Sequence, residues 1–165
     1  MRSVAAAILA VLLASILIEP LVEMANVFRE KLQLNAAVTN ACRAAKDRAL
    51  EYEQLRGLDA KVNPERFKRY FAEAFGDALN MTQKSDTGDQ VTFTSDDGQF
   101  NDFTVTFDFS DETDSSTEQE ISVVQVEAEA NYKYKTKYLK MAEEAITGDD
   151  YKLVSERKYI LSVKN

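Results

Sequence analysis

The side chains able to do chemistry in this chain are almost all carboxylates. Among 165 residues there is no histidine, no tryptophan and a single cysteine, Cys42. That composition excludes Ser-His-Asp and Cys-His catalysis and the usual zinc sites. Glycine occurs five times and never as Gly-x-Gly, so no phosphate-cradling loop is present. Paired acids such as Asp96 with Asp97, or Asp108 with Asp111, have the chemistry of a general acid and base. They fall in turn-like stretches, where solvated acids are the ordinary case, and no enzyme activity is expected from them. Oxygen-rich stretches at Asp86-Thr87-Gly88-Asp89 and at residues 111–118 offer hard calcium ligands, but neither has the spacing or terminal Glu of an EF-hand. No metal and no cofactor is expected.

Further acids stand elsewhere, in the N-terminal third. Residues 4–18 are apolar on every face, and Glu19 interrupts the run before Leu21 and Val22. This is close to the ~20 residues that cross ~30 Å of hydrocarbon. A carboxylate at such a place must reach water or a partner. Glu19 therefore reads as an interfacial stop signal or as a pairing group for a neighbour during assembly. Pro20, which removes a helix hydrogen bond, is expected to kink the rod or start its second part. Beyond it Leu21, Ala25, Phe28, Leu32, Val38, Cys42, Ala45, Ala49, Tyr52 and Leu55 recur three or four positions apart. Arg29, Glu30, Lys31, Arg43, Lys46, Asp47 and Arg48 occupy the other face. With no glycine before Gly57, one helix of up to ~80 Å is expected at ~1.5 Å per residue.

The segment from Ile16 through Glu19-Pro20, Glu23 and Phe28, followed by Leu32, Asn35-Ala36-Ala37 and Ala41-Cys42-Arg43, resembles the TadE-like minor pilins of tight-adherence pili. In that family an apolar segment leads to a Glu, a Phe about five positions later, an Asn-Ala-Ala step and an Ala/Arg-rich turn. The resemblance covers roughly the first third of the chain. It implies a filament subunit that sits in the membrane before assembly and associates with itself or with related pilins afterwards. Glu19, Pro20, Glu23, Phe28 and Leu32 are then the assembly residues. Such pilins carry a short basic leader ending in Gly, with Glu at the fifth mature position. Here Ala5 stands fifth and no Gly precedes Gly57, so either the leader is absent from this chain or only the helix architecture is shared. A rival reading is a monomeric membrane-anchored extracytoplasmic binding domain whose helix is only a tether.

Met1-Arg2 ahead of an apolar core also has the makeup of a secretory signal. No small-x-small site follows cleanly and helical periodicity continues, which favours an uncleaved anchor. Arg2 and the α-amine are the only positive charges before the span, which places the N-terminus in the cytoplasm and the head outside. Net charge is −8 and the pI about 4.7, which argues against a nucleic-acid surface. The clusters Arg66-Lys68-Arg69 and Lys133-Lys135-Lys137 read as the polar face of a helix and the solvent side of a strand.

Two units are expected, an N-terminal transmembrane and stalk helix over residues 1–56 and a globular head over 57–165. Asn63-Pro64-Glu65 is a helix start, with Asn as cap and Pro at the first position. Phe67, Tyr70, Phe71, Ala74, Phe75, Ala78 and Leu79 then share one face. Residues 81–90 read as a loop. Residues 91–95 and 103–109 form a hairpin around 96–99, and 110–120 an exposed connection. Residues 121–140 alternate as a long strand, with Val124, Val126, Ala128, Ala130, Tyr132, Tyr134 and Tyr138 to one side. A short helical turn at 139–146 and a final strand through Tyr151, Leu153, Tyr159, Leu161 and Val163 complete an α+β, pilin-like fold. Its head is one helix and a four-stranded, largely antiparallel sheet laid on the upper stalk. Cys42, on the apolar stripe, reads as a buried small hydrophobe.

Overall fold

The computed structural model describes residues 2–49, 62–113, 120–137, 139–141 and 151–161. The first helix, α1 (Arg2–Ala49), has 48 residues, or ~72 Å at ~1.5 Å per residue. It continues through Pro20 without a break in helical assignment, so the expected second start there is not seen. Its lower part contains one stretch long and apolar enough to cross a membrane, none of it buried. By length and composition this stretch suits a membrane anchor or a signal sequence. The expected helix end near Gly57 and the boundary at 56/57 lie outside the described residues.

The second helix, α2 (Pro64–Leu79), forms for the reasons its sequence gives. Asn63 Oδ1 accepts the Arg66 N–H at 3.1 Å, and Pro64 takes the first position, where no N–H is needed. The helix ends at Asn80, whose φ of 53° is left-handed and whose N–H returns to the Gly76 carbonyl. Gly76 is required by packing: a Cβ there would lie 2.7 Å from the Met81 carbonyl oxygen.

Five antiparallel strands follow in sequential order: β1 (Met81–Thr87), β2 (Gln90–Ser95), β3 (Phe103–Thr113), β4 (Glu120–Asn131) and β5 (Lys152–Leu161). The α+β architecture is as expected, but the sheet has five strands, not four. The added strand is β1, which the sequence presents as a loop. Only Met81 of its seven residues is buried, so no apolar alternation marks it. It is held instead by main-chain pairing to β2, with a bulge between Gln83 and Ser85. Residues 110–113 likewise belong to β3, pairing out to Thr113 opposite Glu120. Conversely β4 stops at Asn131, and 132–135 have no regular structure. Lys133 and Lys135 therefore do not line the solvent side of a strand. Of the helical turn expected at 139–146, residues 139–141 are helical; the rest, with Tyr138, Gly148 and Val163, lies outside the described residues.

Both helices lie on one face of the sheet. Val91, Val105, Ala128 and Ser155 stand in register across it, as do Phe107, Val126 and Arg157. Phe67, Phe71 and Phe75 of α2 meet Phe107, Phe93 and Phe103 at ring separations of 5.0 to 6.3 Å. The upper part of α1 packs beside α2 and over β5. Leu34, Ala37, Val38, Ala41, Cys42, Ala45 and Ala49 are all buried there. Small side chains at these positions let the helix axes approach closely, with packing supplied by the aromatic residues of α2.

Candidate functional site

Two features of α1 between the apolar span and the core are candidates for function: a buried acidic joint on one side and a bare apolar face on the other. The joint is made by Glu23 and Glu30, seven residues apart and hence on one side of the helix. Glu23 is 3% exposed and Glu30 4%. The Glu23 carboxylate accepts the Tyr132 hydroxyl at 2.6 Å and the Lys135 N–H at 2.9 Å on Oε1, and the Thr136 N–H at 2.8 Å on Oε2. Burial alone would raise this carboxyl. The bonds from Tyr132, Lys135 and Thr136 outweigh it and hold Glu23 below its ordinary value of 4.5. The same burial, with the Glu23 charge beside it, drives the Tyr132 hydroxyl far upward, so it stays a donor.

Glu30 is placed differently. Lys135 Nζ lies 3.2 Å from its Oε1, while Oε2 is buried without a partner among the described residues. Burial raises the Glu30 carboxyl, and Lys135 offsets this only in part. By its charge Glu30 belongs to the helix's polar outer face. The structure corrects this, because segment 132–136 folds down over that side.

Lys135 Nζ also donates to the Gln99 carbonyl, and Lys133 Nζ to the Gly98 carbonyl at 2.6 Å. Asn101 Nδ2 reaches the Asn131 carbonyl at 3.1 Å. The segment is thus strapped between α1 and the β2–β3 turn. Higher up, Ser155 Oγ donates to Asn35 Oδ1 at 2.7 Å and Arg157 Nε to Thr39 Oγ1 at 3.2 Å. These bonds fix how α1 lies along β5.

On the other side of the same turns the helix is bare. Met24 is 65% exposed, Phe28 66% and Leu32 54%. Together with Val27, Lys31, Asn35 and Tyr151 they line a groove of about 430 Å³. Of the residues expected to serve assembly, Pro20, Phe28 and Leu32 are exposed and Glu19 is half-exposed, whereas Glu23 is engaged within the chain.

The acid pairs are not brought together as a site. Asp96 accepts the Thr82 hydroxyl, and Asp97 accepts the Gln99 N–H and the Ser95 hydroxyl, which hold its carboxyl below the usual range. Both shape a turn. Asp108 and Asp111 point to opposite faces of β3, and Asp111 accepts the Ser122 hydroxyl at 2.8 Å. No three of Asp, Glu or Cys converge among the described residues. Residues 86–89 close the β1–β2 hairpin, with the Gly88 carbonyl taken by Lys68; the second acidic stretch lies partly outside the described residues. Cys42 is wholly buried, its thiol pushed up to about 12 by burial, which leaves it a packing residue.

The partners of Glu23 and Glu30 were not legible beforehand. The available signal is the spacing: Glu23, Asn26, Glu30 and Gln33 recur three and four apart beside an otherwise apolar stripe. Compared with protein-family models, curated proteins and solved structures, the chain has no match.

Proposed function

We propose that the protein is a structural subunit of a type IV-like, Tad-type surface filament, resembling the TadE-like minor pilins. In this reading the lower part of α1 sits in the membrane before assembly and packs against neighbouring subunits afterwards. The observation that carries it is the apolar face of Met24, Phe28 and Leu32, which lies beyond the apolar span and which the head leaves open. A tether for a solitary binding domain needs no apolar face above the membrane other than the one its own head covers. An exposed run of this kind marks a place where another molecule packs. Below it, Ala5, Ala6, Ala7, Ala10, Ala14 and Ser15 give the apolar segment a surface on which helices can approach closely. The extracytoplasmic head and the assembly role of Glu19 belong to the same reading, which involves neither a cofactor nor catalysis.

The test is to shear surface material from cells expressing the full chain and image it by negative stain with an antibody to the head. Filaments or filament tips that carry the label are expected. They should be lost in Phe28→Ser/Leu32→Ser, with membrane insertion unchanged. Recovery of the intact chain only as a membrane-held monomer overturns the filament reading in favour of the tethered domain.

A further inference from the structure

A basic pocket stands at the foot of the head. Thr136 is bonded to Glu23, the first residue past the apolar span, and the Lys140 N–H closes a turn on the Thr136 carbonyl at 3.1 Å. Lys137 and Lys140, both exposed, thus belong to a turn whose first residue is fixed beside Glu23. Beside it a cavity of about 460 Å³ opens between α1 and residues 133–135 and 140, lined by Arg29, Lys133, Lys135 and Lys140. Glu30 is the one acid on its wall among the described residues, and Lys135 already meets it. Arg29 lies ~10 Å above Val22 along the helix at ~1.5 Å per residue. The headgroup layer adds roughly 5–8 Å to each side of the hydrocarbon. The long side chains of the rim therefore reach into that layer, while the cavity continues upward from it.

This concentration of cations runs against the rest of the molecule, whose net charge is −8. Between Tyr132 and Met141 there are four lysines and no acid. The carbonyls of Gly98 and Gln99 hold Lys133 and Lys135 in place, so the pocket is ordered from within rather than formed by loose surface side chains. We infer that this pocket binds the phosphate of an anionic phospholipid headgroup in the leaflet from which α1 emerges, fixing the head against the bilayer. The inference rests on α1 being a membrane anchor. Each juxtamembrane cation contributes up to about a five-fold gain in association with an anionic surface.

The test uses the full chain reconstituted in phosphatidylcholine vesicles carrying spin-labelled phosphatidylglycerol or, separately, spin-labelled phosphatidylcholine. The motionally restricted fraction of each lipid is read by electron paramagnetic resonance. The native chain is expected to favour phosphatidylglycerol several-fold, and less at high salt. Arg29→Gln/Lys140→Gln should bring the two lipids close to parity, whereas Lys46→Gln/Lys158→Gln, away from the pocket, should not. Equal restriction of both lipids by the native chain, or an unchanged preference in the pocket variant, overturns the inference while leaving the anchor standing. Displacement of the labelled phosphatidylglycerol by millimolar inorganic phosphate at constant ionic strength overturns the assignment to lipid. A chain that fails to sediment with vesicles overturns the anchor reading and the pocket with it.

Discussion

Beyond its apolar span α1 has two amphipathic parts, residues 23–33 and 34–49, yet the head treats them in opposite ways. Above residue 33 it takes the apolar face, burying Leu34, Val38, Cys42, Ala45 and Ala49 against α2 and the sheet. Below that point it takes the acidic side, burying Glu23 and Glu30, and leaves Met24, Phe28 and Leu32 in the open. Burying the lower apolar face would give more hydrophobic stabilisation, on the order of 1.5–3 kcal/mol per large side chain. The molecule forgoes it and uses hydrogen bonds to a carboxylate instead. The head is thus fixed to the helix on one side while the other stays open.

The sharpest way to break this division is Ala49→Glu. It puts an unpaired charge in the core and should cost on the order of 3–5 kcal/mol or abolish folding, read by urea unfolding of the full chain in detergent. Next in size is Glu23→Gln, which keeps the shape but weakens charged hydrogen bonds worth about 1.5–3 kcal/mol each. It should lower stability by about 2 kcal/mol and speed hydrogen exchange at the Lys135 and Thr136 amides, with Ala45 and its neighbours still protected. Because the folded Glu23 carboxyl is held below 4.5, its contribution is present above pH 4.5 and lost as pH falls through the lower folded value.

Glu30→Gln should have the opposite sign. Its folded carboxyl is raised, so the native chain loses stability as pH rises from 4.5 through the folded value. The glutamine variant should lose that dependence and be more stable near pH 7, measured by thermal unfolding across pH. A fall in stability near pH 7 would show that the Lys135 pair outweighs burial. The smallest effect on the head is expected from Phe28→Ser, within about 0.5 kcal/mol. That variant separates folding from association: equal loss of stability in Ala49→Glu and Phe28→Ser would remove the division between the two parts.

The helices, the β2–β3 hairpin and most of β4 were legible because their burial has a period. The Asn63-Pro64 start, the phenylalanines three and four apart in α2, and the alternation from Val124 to Ala130 each carry the signal of the surface they cover. β1 carries none, being an edge strand exposed on nearly all its side chains. The polar joint was illegible for another reason. Glu23 and Tyr132 are more than a hundred positions apart, and a buried acid differs from an exposed one only in its partners. The Lys133-Lys135-Lys137 alternation misled, since a period of two over a short lysine run continues the β4 pattern past the point where the backbone leaves the sheet.

The three hydrogen bonds at Glu23 span 109, 112 and 113 positions of sequence. A chain made at about 5–20 residues per second needs roughly 6–23 s to supply Tyr132 and Thr136 after Glu23 has been built. Throughout that interval the helix lacks the groups that later enclose its acid, and a carboxylate without partners favours water over hydrocarbon. In an anchored chain of the kind proposed, the carboxylate then sets the depth of the nascent helix before the head exists. Docking of the last third of the head then converts that depth marker into a fixed joint, and the helix becomes rigidly oriented only when synthesis is nearly complete.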